Sequence, residues 1–181
     1  AATAGANATV PTKNVAAYDA YLRGRAAQTS GFSEELSAVT VRHYEEAVRL
    51  DPDYALAWAR LAESYVRIRS SGYDRGETLQ TKARRAVAAA LRLAPNLPEA
   101  HLAQALVAQA VDFDFEVARR ELDRVEQLRP NDPDVPAARA RIERARGNRS
   151  EAFVALALRA VEADPQNSDT LVLMAGYLTE C

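Results

Sequence analysis

Residues Arg49–Tyr65 read RLDPDYALAWARLAESY. Two stretches of helix-forming sequence meet there with Pro52 between them. A proline inside a helix loses a backbone hydrogen bond and clashes with the preceding turn, at a cost of about 3 kcal/mol. The chain is rich in alanine and has only seven glycines, so it favours helix elsewhere and breaks it here for a reason. The break returns. YEEAVRLDP ends at Pro52, VAAALRLAP at Pro95, LDRVEQLRP at Pro130 and LRAVEADP at Pro165, at spacings of 43, 35 and 35 residues. At each of these positions the missing N–H is no loss and the ring stops the helix. Helix, turn and helix at a near-constant period predict an all-α array of helical hairpins.

The residues between the prolines sharpen this. The second period supplies Trp58, Leu61, Ala62 and Tyr65 on one helix, then Ala83, Val87 and Ala90 before Pro95. The third supplies His101, Gln104, Ala105 and Ala108, then Ala118, Leu122 and Val125 before Pro130. The first has Tyr18, Tyr21 and Leu22, then Tyr44 and Ala47 before Pro52. Over residues 14–180 this pattern resembles the tetratricopeptide repeat (TPR) family, whose period is about 34 residues. The resemblance implies a right-handed α-α superhelix of about four and a half helix-turn-helix repeats. We expect repeats at 14–52, 53–95, 96–130 and 131–165, a half repeat at 166–181 and a linker over 1–13. Helix pairs are expected at 14–29/33–50, 53–69/77–93, 98–111/114–129 and 133–146/149–163, with a lone helix at 168–180. Ala62, Ala90 and Ala105 let paired helices approach, while Trp58, Tyr65 and Tyr44 fill the remaining space. The first two repeats carry extra residues around QTSGFSEE and SSGYDRGET. The fourth places Arg139 where the pattern asks for Leu.

Composition bounds the function. The 181 residues are 48% hydrophobic and 27% charged, with a formal net charge of −2 at pH 7. A chain so near neutrality has no global electrostatic reason to bind nucleic acid or an anionic membrane. No apolar run approaches the roughly 18 residues of a membrane span, so no membrane insertion is expected. Cys181 is the only cysteine, which removes internal disulfides and thiolate metal sites. We expect a cytoplasmic protein, the extracytoplasmic part of a membrane-anchored regulator being the other placement considered.

Catalytic chemistry finds little purchase. His43 and His101 lie in different repeats, without the HExxH spacing that joins two histidines on zinc. His101 occupies the large position that opens its repeat and reads as a packing residue. DFDFE (Asp112–Glu116) lacks the glycine and the downstream glutamate of a calcium loop. Its phenylalanines, Phe113 and Phe115, are expected to close a turn, with the aspartates capping. No nucleophile elbow or phosphate-cradling loop is present, and no enzyme activity, cofactor or metal is expected. Nine arginines between Arg119 and Arg149 are interleaved with Glu116, Glu121, Asp123, Glu126 and Glu143, which predicts a solvated face of i,i+4 pairs, the other reading being a patch for an acidic ligand centred on the fourth repeat.

The resemblance implies a function in binding. In such arrays the first helix of each pair lines a concave groove that takes an extended peptide or a helix of another protein. By the family's pattern the groove positions are Asp19, Arg23, Ala59, Glu63, Val66, Arg67, Leu102, Leu106 and Gln109. The lysine and asparagine clamp that some members use for a peptide carboxylate is absent. PTKNVAAYDAYLRGR, LDPDYALAWARLAESY and DFDFEVARRELDRVEQLRP further resemble the repeat region of bacterial multidomain regulators, where such repeats follow a cyclase, a winged-helix or a Ser/Thr kinase domain. That implies a regulatory module with a protein or peptide partner. The alternative is a self-association module, a homodimer held by the apolar residues Leu171, Met174 and Leu178 of the last helix.

Overall fold

The computed structural model describes residues 12–31, 33–71, 77–147 and 151–163. Among them every regular element is helical: α1 (Val15–Thr29), α2 (Glu34–Leu50), α3 (Ala55–Ser71), α4 (Glu77–Leu93), α5 (Pro98–Val107), α6 (Phe115–Leu128), α7 (Asp134–Ala145) and α8 (Glu151–Ala163). A single π-helical turn, Ala108–Asp112, continues α5. The expected helix pairs are therefore present. The helix expected at 168–180, and with it Leu171, Met174 and Leu178, lies outside the described residues. So do most of the insertion at Ser70–Thr78 and Phe32 of QTSGFSEE. The chain forms two compact units, Ala1–Ala100 and His101–Cys181.

In the first unit α1 packs on α2, α2 on α3 and α3 on α4. Short side chains that accept from backbone N–H groups start the helices: Asn14 Oδ1 accepts from Ala17 N at 3.1 Å and Ser33 Oγ from Leu36 N at 3.1 Å. Tyr44 is fully buried, and its hydroxyl donates to Gln28 Oε1 at 2.8 Å. The Tyr21 ring lies 5.8 Å from that of Tyr44 and 5.3 Å from that of Tyr54, close enough for tilted aromatic packing. Gly24 makes the close approach of α1 to α2: a Cβ there would sit 2.7 Å from the Tyr44 ring. Ala62 and Ala90 are buried without side-chain bulk, as helix pairing requires.

The opening proline is exposed in the turn between α2 and α3. Its carbonyl accepts from Trp58 Nε1 at 2.8 Å, so the large residue of the repeat is also hydrogen-bonded to the turn that precedes it. Thr12, expected within a linker, is buried instead. Its hydroxyl donates to Asp51 Oδ2, and Asn14 Nδ2 donates to the Leu50 carbonyl at 2.8 Å. The start of α1 is thereby fastened to the α2–α3 turn.

In the second unit Leu102, Ala105 and Ala108 pack with Ala118, Leu122 and Val125 of α6 and with Val135, Ala138 and Ile142 of α7. Burying a side chain such as Leu122 or Ile142 stabilises by roughly 1.5–3 kcal/mol. A smaller cluster of Ala140, Phe153 and Ala157 joins α7 to α8. Asp114 caps α6 as expected, its Oδ1 accepting from Val117 N at 2.9 Å. Phe113 departs from expectation. It does not close the turn from inside but stands 64% exposed with φ +56°, because the π turn ahead of it adds a residue and leaves the chain left-handed there. Gly147 ends α7 at φ +74°, a conformation glycine adopts without cost.

Candidate functional site

The nine expected groove positions do not share one environment. Asp19 and Arg23 are exposed on α1 and hold each other, Oδ2 to Nη2, at 2.7 Å. Ala59, Glu63 and Val66 are buried on α3, and Leu102 is buried on α5. That leaves half-buried Arg67 on the first unit. On the second, Leu106 and Gln109 are half-buried, Gln109 within the π turn.

Within the first unit α3 carries a charge line through this region. Glu63, 8% exposed, receives Arg60 Nη1 at 2.8 Å. A buried carboxylate persists only beside a cation, since the unpaired charge would be expelled or neutralised. The same pair holds the Arg60 guanidinium firmly protonated, its pKa pushed up chiefly by Glu63. Burial raises the Tyr21 hydroxyl above its ordinary value, with Arg60 opposing. Burial likewise drives the Tyr44 and Tyr54 hydroxyls upward. Tyr65 is raised by burial and by its hydrogen bond to Glu45, 2.7 Å. None of these is poised to trade protons near neutrality, which suits packing and not acid–base catalysis.

Beside the charge line lies a small cleft of about 20 Å³, room for one water-sized group. Gln28 of α1, Leu36, Ser37 and Thr40 of α2, Ser64 and Arg67 of α3, and Gly31 between α1 and α2 line it. The three hydroxyls donate to carbonyls of their own helices: Ser37 to Ser33, Thr40 to Leu36 and Ser64 to Arg60, at 2.7–2.8 Å. Their lone pairs remain as acceptors. Gln28 Oε1 takes the Tyr44 hydroxyl, which leaves its amide N–H groups as donors. The cleft therefore offers donors and acceptors together, with a guanidinium at one side. Sequence reasoning picked out Arg67 but missed Gln28, Thr40 and Ser64. Thr40 lies four positions before core Tyr44, but Gln28 lies seven after Tyr21 and Ser64 directly before Tyr65, so no one spacing marked them.

Elsewhere the expected chemistry resolves into structure. His101 Nδ1 lies 2.7 Å from Glu121 Oε2, which joins α5 to α6. Within the arginine-rich stretch, ion pairs also run across helices. Arg139 Nη2 reaches Asp123 and Glu126 of α6, each at 2.7 Å, and Arg146 Nη1 reaches Glu116 at 4.0 Å. The reason is the packing of α7 on α6, which brings carboxylates within range of arginines across the pair. Among the described residues no three of His, Cys, Asp and Glu gather as a metal ion would need. None of the described helices is long and apolar enough to cross a membrane.

The solved structure of a thermophilic TPR protein from Thermus thermophilus superposes on this chain with a TM-score of 0.68. The match covers 92% of this chain and 84% of that one at 22% sequence identity. The fold is that of the TPR. No family model matches the chain, and no curated protein matches it. Within the TPR fold, α1/α2 and α3/α4 are hairpins of the first unit, and α7/α8 is a hairpin of the second.

Proposed function

We propose that this chain is a protein–protein interaction module that takes a peptide or helix of a partner protein, in a regulatory role within a signalling protein. The observation that carries the reading is the cleft at Arg67. Gln28, Thr40, Ser64 and Arg67 converge there from three helices. A guest side chain whose tip is a single small group that both donates and accepts hydrogen bonds, such as a hydroxyl, fits that lining. Leu106 and Gln109 are the corresponding reachable groove positions of the second unit. The resemblance to the repeat region of multidomain regulators supports the regulatory part.

The test is selection of binders from a displayed peptide library, followed by titration of the selected peptide by calorimetry. Saturable binding is expected, with Arg67→Ala weakening it about tenfold or more, since hydrogen bonds to charged groups contribute roughly 1.5–3 kcal/mol. Failure to select any peptide, or equal binding by Arg67→Ala, overturns this placement of the guest.

A further inference from the structure

The outer face of α1 is built like an interface. Val15 is 80% exposed and Leu22 40% exposed, and with exposed Ala26 they recur at i, i+7 and i+11. That spacing forms one stripe, opposite the buried side of Ala17, Ala20, Tyr21 and Gly24. The helix thus carries exposed apolar residues on its outer side as well as a buried apolar side. The equivalent positions of α3 show what such a face does. Helices α1 and α3 begin at Val15 and Ala55, so Tyr18 and Leu22 correspond to Trp58 and Ala62. On α3 that side meets the preceding hairpin: Trp58 bonds the Pro52 carbonyl, Tyr65 bonds Glu45 and Ala62 is fully buried.

We propose that this face of α1 pairs with the same face of a second copy of the chain, antiparallel about a two-fold axis. The charges select that occupant. Asp19 and Arg23 lie on the same flank of the stripe, one turn apart. A two-fold axis across an antiparallel pair keeps like flanks together. With the helices crossing at the level of residue 21, Asp19 of each copy stands opposite Arg23 of the other. Two ion pairs within single helices then become two between copies, and the stripes of Val15, Leu22 and Ala26 cover each other. The surface is self-complementary, as a two-fold interface requires. The inference does not rest on the peptide-binding reading, and Arg67 has no part in it.

Sedimentation equilibrium of the purified chain tests it. A concentration-dependent dimer is expected, with its dissociation constant raised about tenfold or more by Leu22→Glu. The side chain of Leu22 faces outward, so far-UV circular dichroism should be unchanged. Asp19→Arg and Arg23→Asp should each weaken the homodimer, because like charges then face one another. Mixing the two variants should restore dimers that contain one chain of each. A chain monomeric at every concentration overturns the proposal. So does a dimer indifferent to Leu22→Glu, which would place the contact elsewhere, or a failure of the two charge variants to rescue each other.

Discussion

At the scale of single residues, the tightest constraint is the absence of a side chain. Gly24 is placed so that one added carbon would stand 2.7 Å from Tyr44, a buried ring whose hydroxyl is tied to Gln28. Gly24→Ala gains about 1 kcal/mol of helix propensity but forces that ring aside. We expect a net loss of about 1–3 kcal/mol, read from the urea midpoint. Tyr54 tests the opposite case. Its hydroxyl is buried with no hydrogen-bond partner, so Tyr54→Phe removes an unmet polar group and leaves the ring. Stability should be unchanged or raised. The two substitutions separate shape from hydrogen bonding in one aromatic cluster. Tyr18, Tyr21 and Tyr44 were legible as large residues in the sequence. The role of Gly24 was not, because the repeat pattern places its small residue at Leu22, which the structure turns outward.

At the scale of elements, helix type and extent were legible because proline and capping residues mark the ends in the sequence itself. Ser33, Asn14 and Asp114 cap from where local rules put them. The π turn was not legible, since i→i+5 bonding in Ala108–Asp112 leaves no compositional mark. It strands Phe113 at positive φ, which costs a residue with a Cβ roughly 1–2 kcal/mol. Phe113→Gly should therefore stabilise the second unit by about 0.5–1 kcal/mol, seen as a higher urea midpoint. The arginines of α6 and α7 teach a related lesson. Spacing along one helix could suggest pairs, but only packing reveals that Arg139 bridges to Asp123 and Glu126 across helices. Its Nε is buried and unpartnered. Arg139→Leu, the residue the repeat pattern asks for, should be neutral or stabilising, because half-exposed ion pairs contribute little and the buried nitrogen is removed.

At the scale of the whole molecule, the two units differ in what alkali does to them. Tyr21, Tyr44, Tyr54 and Tyr65 all belong to the first unit, and each has its pKa raised in the folded state. Their contribution to stability is complete below the unfolded value near 10 and is lost as pH rises above it, because only the unfolded chain then releases their protons. No tyrosine is described in the second unit. Trp58, the only tryptophan, reports on the first. Its fluorescence midpoint in urea should fall markedly between about pH 9 and pH 11. The groove itself was the least legible feature. The repeat pattern named nine positions, yet Ala59, Glu63, Val66 and Leu102 face protein, since a periodic rule gives a side chain's direction and not what stands in front of it.

Thr12 and Asn14 grip the junction at Leu50 and Asp51, some three dozen positions further along the chain. A pull on the backbone ahead of Thr12 does not meet the free end of a helix that could peel away turn by turn. It loads both hydrogen bonds in shear, along with the Pro52 corner behind them. Unzipping of α1 under tension must wait for that stitch to break, so under force the first hairpin should yield in one step and not by gradual fraying.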